Sequence, residues 1–192
     1  GFDTTSTALT FAAYELVANP EIQQRLYEEV AEMNDQLDGK RIGYDSLQKL
    51  KYMDQVVSEV LRKWPPFAQP DRVCVKDYIF DDGDGLKFNV EKDSVFIFPL
   101  YSIQNDPKYY PSPEIFDPER FSDENKDQIV PGTYLPFGIG PRNCIGEISF
   151  CTDDNQGHLP NEKSEIPLKL KNSPLFLMFR NGMHLQLKPR SH

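Results

Sequence analysis

The placement of proline constrains this chain more than any other feature. Of 16 prolines only Pro20 precedes Trp64, and the rest begin with the pair Pro65-Pro66. Proline inside a helix removes a hydrogen bond and clashes with the turn before it. Long helices therefore belong before Trp64, and turns, short strands and meandering backbone after it. From about Thr5 to Ala18, the apolar residues Ala8, Phe11, Ala12 and Leu16 recur at helical spacing until Asn19-Pro20 stops the run. Pro20 then opens a second helix, where a missing N–H costs little. Its stripe is Ile22, Leu26, Val30 and Met33, with Glu28, Glu29 and Glu32 toward water and Asp38-Gly39 as the break. A short helical piece, Tyr44 to Leu50, leads to a third helix from about Tyr52 to Lys63. Met53, Val56, Val57, Val60 and Leu61 are its core-facing set, and Pro65-Pro66 ends it.

Beyond the double proline the period changes. Arg72 to Phe80 alternates like a strand, Asp82 to Gly85 is a turn, and Lys87 to Val90 is placed to pair back. Ser94 to Leu100 holds a short apolar strand, and Asp106 to Phe121 is a proline-rich packed segment. Ile166 to Pro189 offers two strand-like runs around Asn181-Gly182, a hairpin signal. Helices first and strands later give an α+β chain, mainly α.

With 21 Lys and Arg against 30 Asp and Glu, the net charge of -9 leaves no basic footprint for nucleic acid. Cys74, Cys144 and Cys151 are odd in number and lack metal-type spacing, so neither a disulfide framework nor a zinc ribbon follows, and a reducing compartment is expected. Cys74, alternating with valines, reads as a buried thiol. His158, His184 and His192 form no group. No run approaches the ~18 apolar residues of a membrane span. The opening at Gly1, already in helix-like sequence, reads as a cut inside an element.

Chemistry concentrates in Phe137 to Gly146, F-G-I-G-P-R-N-C-I-G. Gly138, Gly140 and Pro141 prevent helix and allow tight turns, and one cysteine is presented two residues after Arg142. A thiolate is a soft ligand suited to iron. Three weaker patterns accompany the loop: Glu59 and Arg62 spaced i, i+3 on one helix face, Pro118-Glu119-Arg120-Phe121, and Gly1-Phe2-Asp3-Thr4-Thr5. Alone, the first is a surface ion pair, the second a proline turn, and Asp3 and Thr4 ordinary capping residues.

In this order the four resemble the cytochrome P450 superfamily. Its members carry A-G-x-D-T-T on an oxygen-binding helix, E-x-x-R on the K helix, then P-E-R-F and the haem loop F-G-x-G-x-R-x-C-x-G. Only the alanine that would precede Gly1 is missing. The phrases L-R-K-W-P-P and F-D-P-E-R-F look most like microsomal enzymes of the insect detoxification type. The resemblance implies the C-terminal part of that fold: distal and K helices, a small β-sheet, a meander and the cysteine haem loop. It implies a haem b cofactor with Cys144 as axial thiolate and metal ligand, favouring O–O cleavage. Asp3 and Thr4 would relay protons on the distal side. Glu59, Arg62 and Arg120 would form a buried structural triad. Arg142 and Arg72 would meet the haem propionates, with Phe137, Gly138, Gly140 and Gly146 shaping the loop around the cofactor. Phe2, Phe67 and Ala68 are substrate-side candidates.

The implied activity is a monooxygenase that inserts one atom of O2 into a small apolar substrate, with NADPH electrons delivered by a reductase partner. The implied location is the cytoplasmic face of the endoplasmic reticulum membrane, anchored by a missing N-terminal part. The match runs through residues 1–146 and resumes for 161–192, the C-terminal hairpin. Between them, at 147–160, the family has a long apolar helix, whereas this chain has the polar run E-I-S-F-C-T-D-D-N-Q-G-H-L-P. That helix reads as missing, through a deletion or an altered reading frame. The second reading is accordingly an inactive remnant that does not retain haem, and little or no activity is expected of the 192 residues alone.

Overall fold

The computed structural model describes residues 2–38, 40, 42–144, 156–160 and 185–189. Five helices and three two-stranded antiparallel sheets are seen among them. Helix α1 runs Phe2–Ala18, α2 Pro20–Gln36, α3 Tyr44–Leu47 and α4 Lys51–Lys63. Each starts or stops where the sequence supplies a reason. Asn19 precedes the proline at the first position of α2, and α4 ends as the backbone turns out at Trp64 before Pro65-Pro66.

The core gathers on α4. Met53, Val56, Val60 and Leu61 are buried with Ala8, Phe11 and Ala12 of α1, Leu26 of α2, and Trp64; Val57 packs against that cluster. A fully buried side chain of this size stabilises by about 1.5–3 kcal/mol, so this face outweighs any local preference of α4. Phe11 stacks on Trp64 with ring centroids 4.7 Å apart, and Tyr14 meets the same indole edge-on. Leu26 is the buried member of the α2 stripe, and Ile22, Val30 and Met33 are partly covered.

Two expectations for the second part are corrected. Arg72 to Phe80 is not one strand: β1 (Asp71–Val73) and β2 (Tyr78–Asp81) are separated by a bend. The Cys74 thiol donates to Lys76 O at 2.9 Å, and Asp77 Oδ1 accepts the Lys92 N–H at 2.8 Å, so local bonds replace the ladder. Cys74 is accordingly half-buried rather than buried. Strand β2 pairs with β3 (Lys87–Val90) as anticipated, with Phe80 facing Phe88. Strand β1 pairs instead with β4 (Val95–Ile97). The run Ser94 to Leu100 does hold a short strand at those three residues, and Leu100 begins helix α5, Leu100–Gln104.

The proline-rich segment ends in a 3-10 turn, Pro118–Phe121, where Asp117 accepts the Glu119 N–H at 3.1 Å. Strand β6 (Leu185–Pro189) pairs antiparallel with β5, Gln156–Pro160. The strand partner of Leu185–Pro189 thus lies in the polar run before residue 161. The turn at Asn181-Gly182 and the arm before it lie outside the described residues, as do Gly146, Cys151 and His192.

Candidate functional site

Glu59 and Arg62 sit on the buried face of α4, and neither has measurable exposure. Arg62 Nε donates to Glu59 Oε2 at 2.6 Å and Nη2 to Oε1 at 2.8 Å, a bidentate pair. The remaining guanidinium protons go to Gln104 O at 2.9 Å, Pro113 O at 2.8 Å and Asn105 Oδ1 at 3.5 Å. Glu59 Oε1 also accepts the Asp117 N–H at 3.0 Å. Arg120 completes the trio less closely. Its Nε lies 3.5 Å from Glu59 Oε1, and its Nη2 donates to Ser112 O at 3.1 Å. Burial pushes the Glu59 carboxyl above its ordinary value, while Arg62, the Asp117 amide and Arg120 pull it back. These bonds fasten α4 to α5 and to the segment Ser112–Arg120.

The cysteine loop hangs from the same helix. Gln104, fully buried, accepts the Leu135 N–H on Oε1 at 2.9 Å. Its Nε2 donates to Leu61 O and Arg62 O, both at 3.0 Å. From Leu135 the loop folds on itself: Gly138 N–H donates to Leu135 O at 3.0 Å, Asn143 N–H to Gly140 O at 3.1 Å, and Cys144 N–H to Phe137 O at 2.8 Å. Gly138 and Gly140 have φ of 75° and 85°, the left-handed region where a Cβ is strained. Phe137 packs against the core cluster, while Ile139 is 75 % exposed and Cys144 is exposed.

The arginines flanking this loop meet through backbone. Arg72 Nη2 donates to Arg142 O at 3.4 Å and Nη1 to Asp71 O at 2.6 Å. The structure therefore brings Arg72 and Arg142 to one place beside Cys144. Asp3 and Thr4 stand on the first turn of α1, and Phe2 is 84 % exposed. Phe67 is also exposed, whereas Ala68 is buried in the core, its carbonyl accepting the Tyr101 N–H at 3.0 Å.

Among the described residues no three His, Cys, Asp or Glu side chains group to hold a bare metal ion. A single exposed thiol fits instead a metal whose other ligands come with it, and the Arg72 guanidinium, held at the Arg142 backbone, fits a carboxylate on that group. The sequence model of the cytochrome P450 family matches residues 1–148. This chain belongs to the cytochrome P450 family. It is 45% identical over 201 residues to a protein named probable cytochrome P450 9f2 of Drosophila melanogaster, covering 100% of this chain and 39% of the relative. It is 42% identical over 202 residues to cytochrome P450 9e2 of Blattella germanica, covering 100% and 37%. Cytochrome P450 9b2 of Drosophila melanogaster matches at 48% over 146 residues, 76% of this chain and 29% of the relative. The chain spans less than two-fifths of the length of these curated relatives. Among the described residues no helix of this P450 chain is long and apolar enough to cross a membrane.

Three polar residues of this P450 chain escaped the sequence reading. Gln104 lies in no motif. Glu29, expected to face water, accepts the Tyr52 and Met53 N–H groups at 2.8 and 2.9 Å and so caps α4. Glu15, 2 % exposed, accepts the Trp64 indole N–H at 2.7 Å and pairs with Lys63 at 2.8 Å. The only sequence signal for Glu15 is its place among the apolar residues Ala12 and Leu16 on α1.

Proposed function

We propose that this segment carries the thiolate side of a haem-binding monooxygenase that inserts one oxygen atom of O2 into small apolar organic substrates, using NADPH electrons passed through a reductase. The observation that carries the reading is Cys144, exposed in a loop tied back by its own N–H to Phe137 O at 2.8 Å. Family membership supports haem as the bound group. When bound, a thiolate-ligated haem supplies the oxygen activation. Cys144 holds the iron. Arg72 and Arg142 meet the propionates, and Ile139 and Phe137 offer apolar surface to the macrocycle. Gly138 and Gly140 let the backbone come close. Asp3 and Thr4, an acid beside an alcohol, would hold and pass protons, in the helix we equate with the oxygen-binding helix. Helix α4 takes the place of the K helix, and the Glu59–Arg62–Arg120 group locks it to the meander. Phe2 and Phe67 belong to the substrate side, and Ala68 backs them from the core. The cytoplasmic face of the endoplasmic reticulum membrane is the location we assign.

Turnover in isotopically labelled dioxygen, by the complete protein with reductase and NADPH, tests the reaction class. The expected product carries one labelled oxygen atom, the other leaving as water. Product oxygen drawn from solvent water overturns the reading.

A further inference from the structure

We propose that Gln104 is a positioning residue for Cys144, fixing where the cysteine loop begins relative to the end of helix α4; its functional consequence rests on the reading of Cys144 as iron ligand. The last carbonyls of a helix have no intrahelical partner. In α4 the Trp64 N–H covers Val60 O at 2.8 Å, Asn105 Nδ2 reaches Lys63 O at 3.4 Å, and Gln104 Nε2 covers Leu61 O and Arg62 O. The same planar group then presents Oε1 to the Leu135 N–H. Two donors and an acceptor on one flat, uncharged side chain are what this junction needs, and a carboxamide supplies all three.

The connection is direct on both sides. Upstream, Arg62 Nη1 donates to the Gln104 carbonyl, so the buried Glu59–Arg62 pair sets the backbone that carries Gln104. Downstream, Leu135 O receives the Gly138 N–H and Phe137 O the Cys144 N–H. Gln104 is itself fully buried, so no water can replace a lost partner without entering the core. The residue acts on Cys144 through Leu135 and the loop backbone, with no contact to the thiol required.

The test is site-resolved amide hydrogen exchange on the full 192-residue chain, with alkylation of Cys144 and Cys74 followed in parallel. Gln104→Leu removes every side-chain bond, and loss of one hydrogen bond corresponds to about tenfold faster exchange. We expect that acceleration at Leu135 and Cys144, with the central amides of α4 unchanged. Alkylation of Cys144 should speed up while that of Cys74 does not, a split that general destabilisation would not produce. Gln104→Met, of similar length and volume but without donor or acceptor, should give the same local acceleration at Leu135 and Cys144. If Gln104→Leu yields no folded protein, Gln104→Met decides alone. Equal acceleration throughout α4 and the loop, or unchanged loop exchange in folded Gln104→Leu or folded Gln104→Met, overturns the proposal. Exchange of wild type and variants can be compared in the chain without haem. A chain that takes up no haem would therefore defeat the ligand reading of Cys144 while the exchange pattern still supports the positioning role.

Discussion

Trp64 donates its indole N–H to the buried carboxylate of Glu15 at 2.7 Å, closing helix α1 onto the end of α4. Lys63 adds its ammonium at 2.8 Å, and Asn19 Nδ2 donates to the same carboxylate at 3.2 Å. Four polar groups from two helix ends thus satisfy one another beneath the Phe11–Trp64 stack. Glu15→Ala should cost about 2–3 kcal/mol in denaturant unfolding, because the indole N–H and the ammonium lose a charged acceptor. Glu15→Gln, which still accepts from Trp64, should cost roughly 1 kcal/mol. Equal losses for the two variants would contradict the charge-assisted role.

The Glu59–Arg62 pair should behave as a unit. Arg62→Met leaves a carboxylate buried without its main partner, at about 3–5 kcal/mol. Glu59→Gln with Arg62→Met should cost clearly less than the sum of the singles. Simple additivity in a double-mutant cycle would show that the two do not depend on each other.

Glu29 should matter more than its neighbours on α2. Glu29→Ala removes the acceptor for two first-turn amides of α4, a cap loss of about 1 kcal/mol. Glu28→Ala and Glu32→Ala, on exposed side-chain contacts, should stay within roughly 0.5 kcal/mol. Thermal unfolding of the three variants side by side makes the comparison.

Acid should loosen the joint between α4 and the segment after Phe121. Hydrogen bonds and charge from Lys126 and Lys51 hold the Asp123 carboxyl down at about 2, from an ordinary value of 3.8. A carboxyl depressed in the fold contributes stability above its unfolded value and loses it as pH falls through the folded one. That contribution should fade between about pH 4 and pH 2, and added salt should weaken it because the group is exposed. Lys51→Met with Lys126→Met should flatten that limb of a stability–pH profile; an unchanged limb would contradict the assignment.

The two left-handed glycines of the cysteine loop should resist substitution for backbone reasons. A Cβ on Gly138 would meet nothing closer than Asn143 Cα at 3.8 Å, and one on Gly140 nothing within 4 Å. The cost of Gly138→Ala, about 1–2 kcal/mol locally, is therefore conformational. It should appear as weaker haem uptake with the α4 core unaltered by circular dichroism and unfolding.

How much of this was legible depends on sequence distance. Prolines and apolar spacing placed α1, α2 and α4 to within a few residues at either end, because those signals act within one or two turns. The loop around Cys144 was legible for the same reason: its glycines speak for their own backbone. The bonds of Glu29 to Tyr52, Gln104 to Leu135 and Glu15 to Trp64 join residues 23, 31 and 49 positions apart. No local spacing rule reaches that far, so an acid on α2 read as solvated and a glutamine in α5 read as nothing. The apparent strand from Arg72 to Phe80 failed differently. Its alternation was real, but Asp77 and Cys74 offered the backbone nearer partners than a continuous ladder.

The central claim is that Cys144 supplies the thiolate on haem iron. The reduced, carbon-monoxide-bound absorption spectrum of the complete protein tests it most directly, in wild type and in Cys144→Ser. A thiolate-type Soret band is expected in the wild type, and its loss in the variant. An imidazole-type band in the wild type, or a thiolate-type band surviving in Cys144→Ser, would contradict it.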